Sequence, residues 1–446
     1  MRNYRYLGLV FTLWLALVPA IGSAAEPASD ILPFKATTKT LPNGLVVMVV
    51  PTGFPNIVSL QIPVQTGSRN EVEPGKSGFA HFFEHMMFRG TPTLSPDEYN
   101  AIITQAGARQ NAYTTDDYTN YHITFAKEDL ETILKIEADR FQNLSYPVAA
   151  FKTESRAVLG EYNKNSADPI QKLYEKIRAS AFTTHTYRHT TMGFIEDIED
   201  MPNQYEYSKT FFSRWYRPEN TAVIIAGDVD PDRVIPLVEK YWGGWAPGSG
   251  EKIAIPQEPA PKGSAYAHVP WETPTAPWVV VAFRGPAFSE TGKESAAMDL
   301  LMSVNFGKSS DFYRKLVEQE QKVDQVFAAS PNNADPELIY VFARVKNADD
   351  VLYVRDEILR TFATARVTTI DARKLEEAKS NARYSFTASL DNTDKIAGTL
   401  ATFVRHRRAY DTINNFYRAY ESLTPADLDA AARKFFIDDS LVVATL

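Results

Sequence analysis

The chain has 446 residues, 44% of them hydrophobic and 23% charged, which suits a soluble globular protein too long for one ordinary core, so at least two domains are expected. A formal net charge of -8, from 47 basic and 55 acidic residues, argues against nucleic acid as the main partner. There is no cysteine, which excludes disulfide frameworks, thiolate metal sites and cysteine nucleophiles; any metal centre must draw on Asp, Glu and the seven histidines.

Residues 1–25 read as an export signal. Arg2 and Arg5 precede an apolar run from Leu7 to Ile21, and Ser23-Ala24-Ala25 supplies the small residues a signal peptidase needs. An uncleaved anchor is the alternative, but the apolar run is short and a small-residue site follows it. No later stretch is long and apolar enough to span a bilayer, so no stable membrane span is expected after removal of the signal. In a Gram-negative source the destination is the periplasm.

Pro42-Asn43-Gly44 reads as a turn before a buried strand at Leu45 to Val50, and Ile57 to Val64 as a second strand. A loop from Gly67 to Gly78 leads into a helix predicted over Phe79 to Phe88. Further helices are predicted at Pro96 to Ala106 and Asp129 to Leu144, with an alternating strand at Asn120 to Phe125. Ala222 to Gly227 is a strand followed by a helix to about Trp242. Residues 251–277 are rich in proline and read as a linker. The order then restarts: a strand at Trp278 to Phe283, a loop, a helix at Glu294 to Val304, and a last strand at Ser440 to Leu446. This predicts an α+β chain of two duplicated domains, 26–250 and 278–446, each an antiparallel-rich sheet packed with helices.

The chemistry is concentrated in His81-Phe82-Phe83-Glu84-His85. On a helix, positions i and i+4 share a face, so both imidazoles can reach one ion, and Glu84 lies on the same side. Zinc accepts neutral imidazole, and a hydrolytic site needs three protein ligands, an open position and a nearby carboxylate base. The motif supplies two ligands and the base. The structural alternative is a buried helix whose histidines are merely hydrogen-bonded. His122, His185, His189, His268 and His406 lack ligand spacing and read as ordinary polar or packing residues.

This motif, within HFFEHMMFRGT, resembles the inverted zinc motif of the pitrilysin, insulin-degrading enzyme and mitochondrial processing peptidase family. The resemblance implies a zinc endopeptidase acting on peptides or unfolded polypeptides, with one Zn2+ held by His81, His85 and Glu161 and with Glu84 activating water. In ESRAVLGEYNK it makes Glu161 the third ligand and Glu154, two helical turns earlier, a support from behind the ligands. In GARQNAYTTDDYTNY it makes Asn111 and Ala112 binders of substrate backbone, by addition of the peptide to a sheet edge.

One departure matters. Active single-chain relatives carry an Arg and a Tyr seven residues apart that stabilise the developing oxyanion; the matching positions here are Val317 and Asp324, which have no suitable donor. The resemblance therefore implies a metal-bearing subunit completed by a homologous partner that carries the Arg–Tyr pair, the two closing like a clamshell, with a homodimer the less favoured arrangement. The alternative function is a zinc-retaining peptide-binding or structural subunit with little activity of its own.

Overall fold

Six residues in a row, Val46–Pro51, form a strand whose first five side chains are buried. A strand that reads as a continuous apolar run must be covered on both faces, and both covers are present. Val47 and Val49 point into one core and Val46, Met48 and Val50 into another. The computed structural model describes residues 30–251 and 253–446, so the expected export signal lies outside the described residues.

The strands in chain order are β1 (Thr37–Thr40), β2 (Val46–Pro51), β3 (Ile57–Val64), β4 (Arg109–Thr114), β5 (Thr119–Ala126), β6 (Ala222–Gly227), β7 (Ala265–His268), β8 (Trp278–Arg284), β9 (Val323–Ala329), β10 (Leu338–Val345) and β11 (Val442–Thr445). They make a six-stranded sheet ordered β1-β2-β6-β3-β5-β4 and a five-stranded sheet ordered β7-β11-β8-β10-β9. Without β1, the first order maps strand for strand onto the second. The one parallel pair recurs too: β2 runs parallel to β6, and β7 to β11. The duplication expected from element order is therefore a duplication of topology, in an α+β architecture of two mixed domains.

β7 falls inside the proline-rich stretch expected to be a linker. It pairs with Val442 to Thr445 and is the counterpart of β2, so the second sheet begins before residue 278. Its short alternating sequence, Ala-Tyr-Ala-His, sits between prolines, which hid it.

The helices that shape the first sheet's surroundings are α1 (Phe79–Met86), α2 (Pro96–Gln105), α3 (Leu130–Asn143), α4 (Val148–Asn165) and α5 (Pro169–Ala181). α1 to α4 cover one face of the first sheet, within its larger core. The opposite face is covered by a helix from the far end of the chain, Thr393–Arg407, whose Ile396, Leu400 and Val404 meet Met48, Val50 and Ile224. The exchange is mutual: Leu173 and Ile177 of α5 pack on Val280 and Ala282 of the second sheet. Each half of the sequence thus lends a helix to the other half's sheet. No described helix is long and apolar enough to cross a membrane.

Candidate metal centre

α1 is amphipathic in the simplest way. Phe79, Phe82, Phe83 and Met86, at i, i+3, i+4 and i+7, are fully buried. That leaves His81, Glu84 and His85 on the remaining face. The helix starts at Gly78, whose φ of +90° suits glycine and whose added Cβ would stand 2.3 Å from Ile198 Cδ1. The buried Glu71 carboxylate accepts hydrogen bonds from the Gly78 and Ala80 backbone N–H groups, both at 2.7 Å. These are donors that a helix start leaves unpaired.

Phe82 packs edge-on against Phe151 of α4, with ring centroids 5.0 Å apart. This contact brings α4 alongside α1. Glu154 and Glu161, seven residues apart on α4, both face the histidines. His81 Nε2 lies 3.3 Å from His85 Nε2, and Glu161 Oε2 lies 3.5 Å from the first nitrogen and 3.4 Å from the second. Glu154 stands behind: its Oε1 is 2.9 Å from His85 Nδ1, and its other oxygen pairs with Arg89. Because Nδ1 of His85 donates to Glu154, its Nε2 presents a lone pair to the triad.

Electrostatics follow from this packing. Burial, then the neighbouring His85, holds His81 down at about 4, so its imidazole is neutral at ordinary pH. The hydrogen bond to Glu154 raises His85 above its usual value. For Glu154, burial works upward, but His85 and Arg89 outweigh it and leave the carboxylate below its ordinary range. Burial raises Glu84, opposed by a hydrogen bond from Thr114.

The donor set fits zinc. Bonds of about 2.0–2.1 Å in a tetrahedron place ligand atoms about 3.3–3.4 Å apart. The 3.3, 3.4 and 3.5 Å edges of the His81, His85 and Glu161 triangle match that spacing. Two imidazole nitrogens and one carboxylate also leave a fourth position open, as a hydrolytic centre needs.

The other expected residues are distributed as follows. β4 is the last strand of its sheet, so an edge is available at Asn111 and Ala112. Ala112 is buried and, with Thr114, faces α1; the exposed Asn111 side chain stands on the opposite face beside His122. Val317 and Asp324 lie in the second domain, and Asp324 is engaged by Arg344 through two 2.8 Å bonds. Of the remaining histidines, His185 contacts Asp335, His268 contacts Thr445, and His406 stacks on Phe288.

Two residues escaped the sequence reading. Arg89, just past the end of α1, pairs with Glu154. Thr114 Oγ1 donates to Glu84 Oε2 at 2.7 Å. Strand alternation from Ala112 was the available signal for Thr114.

Comparison with known proteins agrees with this architecture. The profile of Insulinase (Peptidase family M16) matches residues 47–193, and that of the Peptidase M16 inactive domain matches residues 204–382. The Zinc protease PqqE of Helicobacter pylori is 28% identical over 440 residues, covering 97% of this chain and 96% of that protein. The Probable mitochondrial-processing peptidase subunit beta of Schizosaccharomyces pombe is 26% identical, covering 83% and 82% of the two chains. Among solved structures, a protease from Helicobacter pylori superposes with a TM-score of 0.85 at 27% identity, over 93% of this chain and 99% of that one. The periplasmic protease PqqL from Escherichia coli shares the fold at 18% identity and a TM-score of 0.75; 93% of this chain matches 48% of that one. The chain belongs to the M16 family, the pitrilysin and insulinase type of peptidase with the inverted zinc motif.

Proposed function

We propose that this chain is an exported zinc endopeptidase that hydrolyses peptides or unfolded polypeptides. The observation that carries the reading is the triangle of His81 Nε2, His85 Nε2 and Glu161 Oε2 at tetrahedral spacing, with the Glu84 carboxylate on the same helix face. His81, His85 and Glu161 hold the metal, and Glu154 fixes the orientation and tautomer of His85. Zinc held there supplies a Lewis acid that polarises the scissile carbonyl and acidifies water. Glu84 is the base: it takes a proton from the attacking water and delivers it to the leaving nitrogen. The substrate lies along the free edge of β4, its backbone paired at Asn111 and Ala112, which places an extended segment across the site. Peptides and unfolded segments offer such an extended backbone free of other pairing, and they are the substrate class.

Export rests on the features of residues 1–25 and on the periplasmic setting named for one structural neighbour. We assign residues 26–250 to the catalytic domain and the chain from β7 onward to a homologous domain without metal, with the proline-rich stretch before β7 connecting them. A homologous partner subunit supplying an Arg–Tyr pair completes the site. Asp324, locked to Arg344, and Val317 cannot stabilise an oxyanion. The same observation favours the second reading, a zinc-retaining peptide-binding or structural subunit.

Cleavage of quenched-fluorescent peptides by the mature chain, alone and with any partner co-purified from the source, separates these readings, with Glu84→Ala as the control. Activity that appears only with the partner and is lost in Glu84→Ala supports the heterodimeric peptidase. Activity in the chain alone removes the partner requirement. A zinc-loaded chain inactive in both forms leaves the binding role.

A further inference from the structure

The base of this site is held by the strand on which a substrate would dock. Thr114 is the last residue of β4, paired with Thr119 of β5. Its hydroxyl lies 2.7 Å from Glu84 Oε2 and 3.4 Å from Thr119 Oγ1. Thr119 already donates to the Thr66 carbonyl at 3.0 Å. It can therefore only accept from Thr114, and the much shorter contact to Glu84 takes the Thr114 proton. Glu84 Oε1 makes no side-chain hydrogen bond among the described residues.

Thr114 is itself immobilised from beyond the strand. In the turn that follows, Thr115 Oγ1 accepts from the Asp117 and Tyr118 N–H groups and donates to the Tyr118 carbonyl. Asp116 receives Ser68 at 2.9 Å and both terminal nitrogens of Arg178 at 3.0 and 2.9 Å. Asp117 receives the Tyr187 hydroxyl at 2.6 Å and the Ala334 N–H at 2.7 Å. Ala334 belongs to the loop before β10, so the second domain grips the tip of the hairpin, next to the residue that holds the base.

We propose that Thr114 is a positioning residue for Glu84, fixing one carboxylate oxygen so that the other is aimed for proton transfer, and that the β4–β5 hairpin ties this aim to the strand that receives substrate. The proposal rests on the peptidase reading above. A glutamate has several rotatable bonds, and a base that must be ordered anew at each turnover loses rate without losing substrate affinity. Thr114→Val keeps the β-branched shape suited to a strand and removes the donor; Thr114→Ser keeps the donor.

The test measures kcat and KM on quenched-fluorescent peptides for the zinc-loaded mature chain, with any co-purifying partner retained, alongside zinc content and Tm. Expected for Thr114→Val is a kcat at least about tenfold lower, a KM within about twofold of the unaltered chain, and unchanged zinc content and Tm; Thr114→Ser restores most of the rate. The proposal is overturned by a valine variant with undiminished kcat, by a loss confined to KM, or by a serine variant no better than valine. An unaltered chain that binds zinc and peptide but cleaves nothing, with or without partner, fails at the level of the peptidase reading and removes this proposal with it.

Discussion

His85 Nδ1 and Glu154 Oε1 stand 2.9 Å apart, and this contact decides which nitrogen of His85 faces His81 and Glu161. Glu154 is 2% exposed and also pairs with Arg89, so its position is set from two sides. In Glu154→Ala, His85 loses its orienting partner and Arg89 its counter-charge. Zinc affinity, read by chelator competition, is expected to fall about 10- to 100-fold. An unchanged affinity would show that packing alone orients His85.

Gly78 starts the helix that carries the motif. Alanine there meets Ile198 Cδ1 at 2.3 Å and must adopt a φ of +90°. Ile198 Cδ1 is the movable end of a buried side chain, so the left-handed φ and the Met192 carbonyl oxygen at 3.1 Å carry most of the cost. Gly78→Ala is expected to destabilise the protein by on the order of 2–3 kcal/mol in denaturant unfolding. A loss below about 0.5 kcal/mol would mean that this turn relaxes freely.

Glu337 is buried with Asp116 and Asp117 around Arg178, and its Oε2 has no hydrogen bond among the described residues. Burial is the main cause that pushes its pKa up to about 8, with Arg178 opposing and Asp116 adding to the rise. The unfolded chain ionises this group near the ordinary value of 4.5, so the native state binds the extra proton between about 4.5 and 8. Stability from this group is therefore complete below about 4.5 and is lost as pH rises towards about 8. Glu337→Gln is expected to match the unaltered chain at low pH and to exceed its Tm increasingly up to about pH 8. A glutamine variant less stable at the upper end would show that an ionised Glu337 serves Arg178.

The exchanged helices make a prediction about folding units. Ile396, Leu400 and Val404 belong to the core on one face of the first sheet although they lie far along the chain. A fragment of residues 26–250 leaves that face bare and is expected to aggregate or fail to unfold cooperatively. A soluble monomeric fragment with a sharp thermal transition would contradict this packing.

Much of this was legible in the residues. The 81, 84, 85 spacing gave the helix face, and the Phe79, Phe82, Phe83, Met86 stripe is its buried complement. Glu161 was not reachable from spacing within the motif, because no local rule says which helix will lie alongside α1; the resemblance supplied it. The exchange of α5 and Thr393–Arg407 was invisible for a related reason. Apolar periodicity marks the face that is buried, not the sheet that buries it. β7 was missed because four residues between prolines carry too little pattern. Thr114 lies within GARQNAYTTDDYTNY, but its partner Glu84 is a tertiary neighbour.

The most direct measurement is an anomalous difference map at the zinc edge from crystals of the mature chain grown with zinc. A single strong peak bonded to His81 Nε2, His85 Nε2 and a Glu161 oxygen is expected, with Glu84 beside it but unbound. Zinc held elsewhere, or bonded to the histidines without Glu161, would contradict the assignment of this centre.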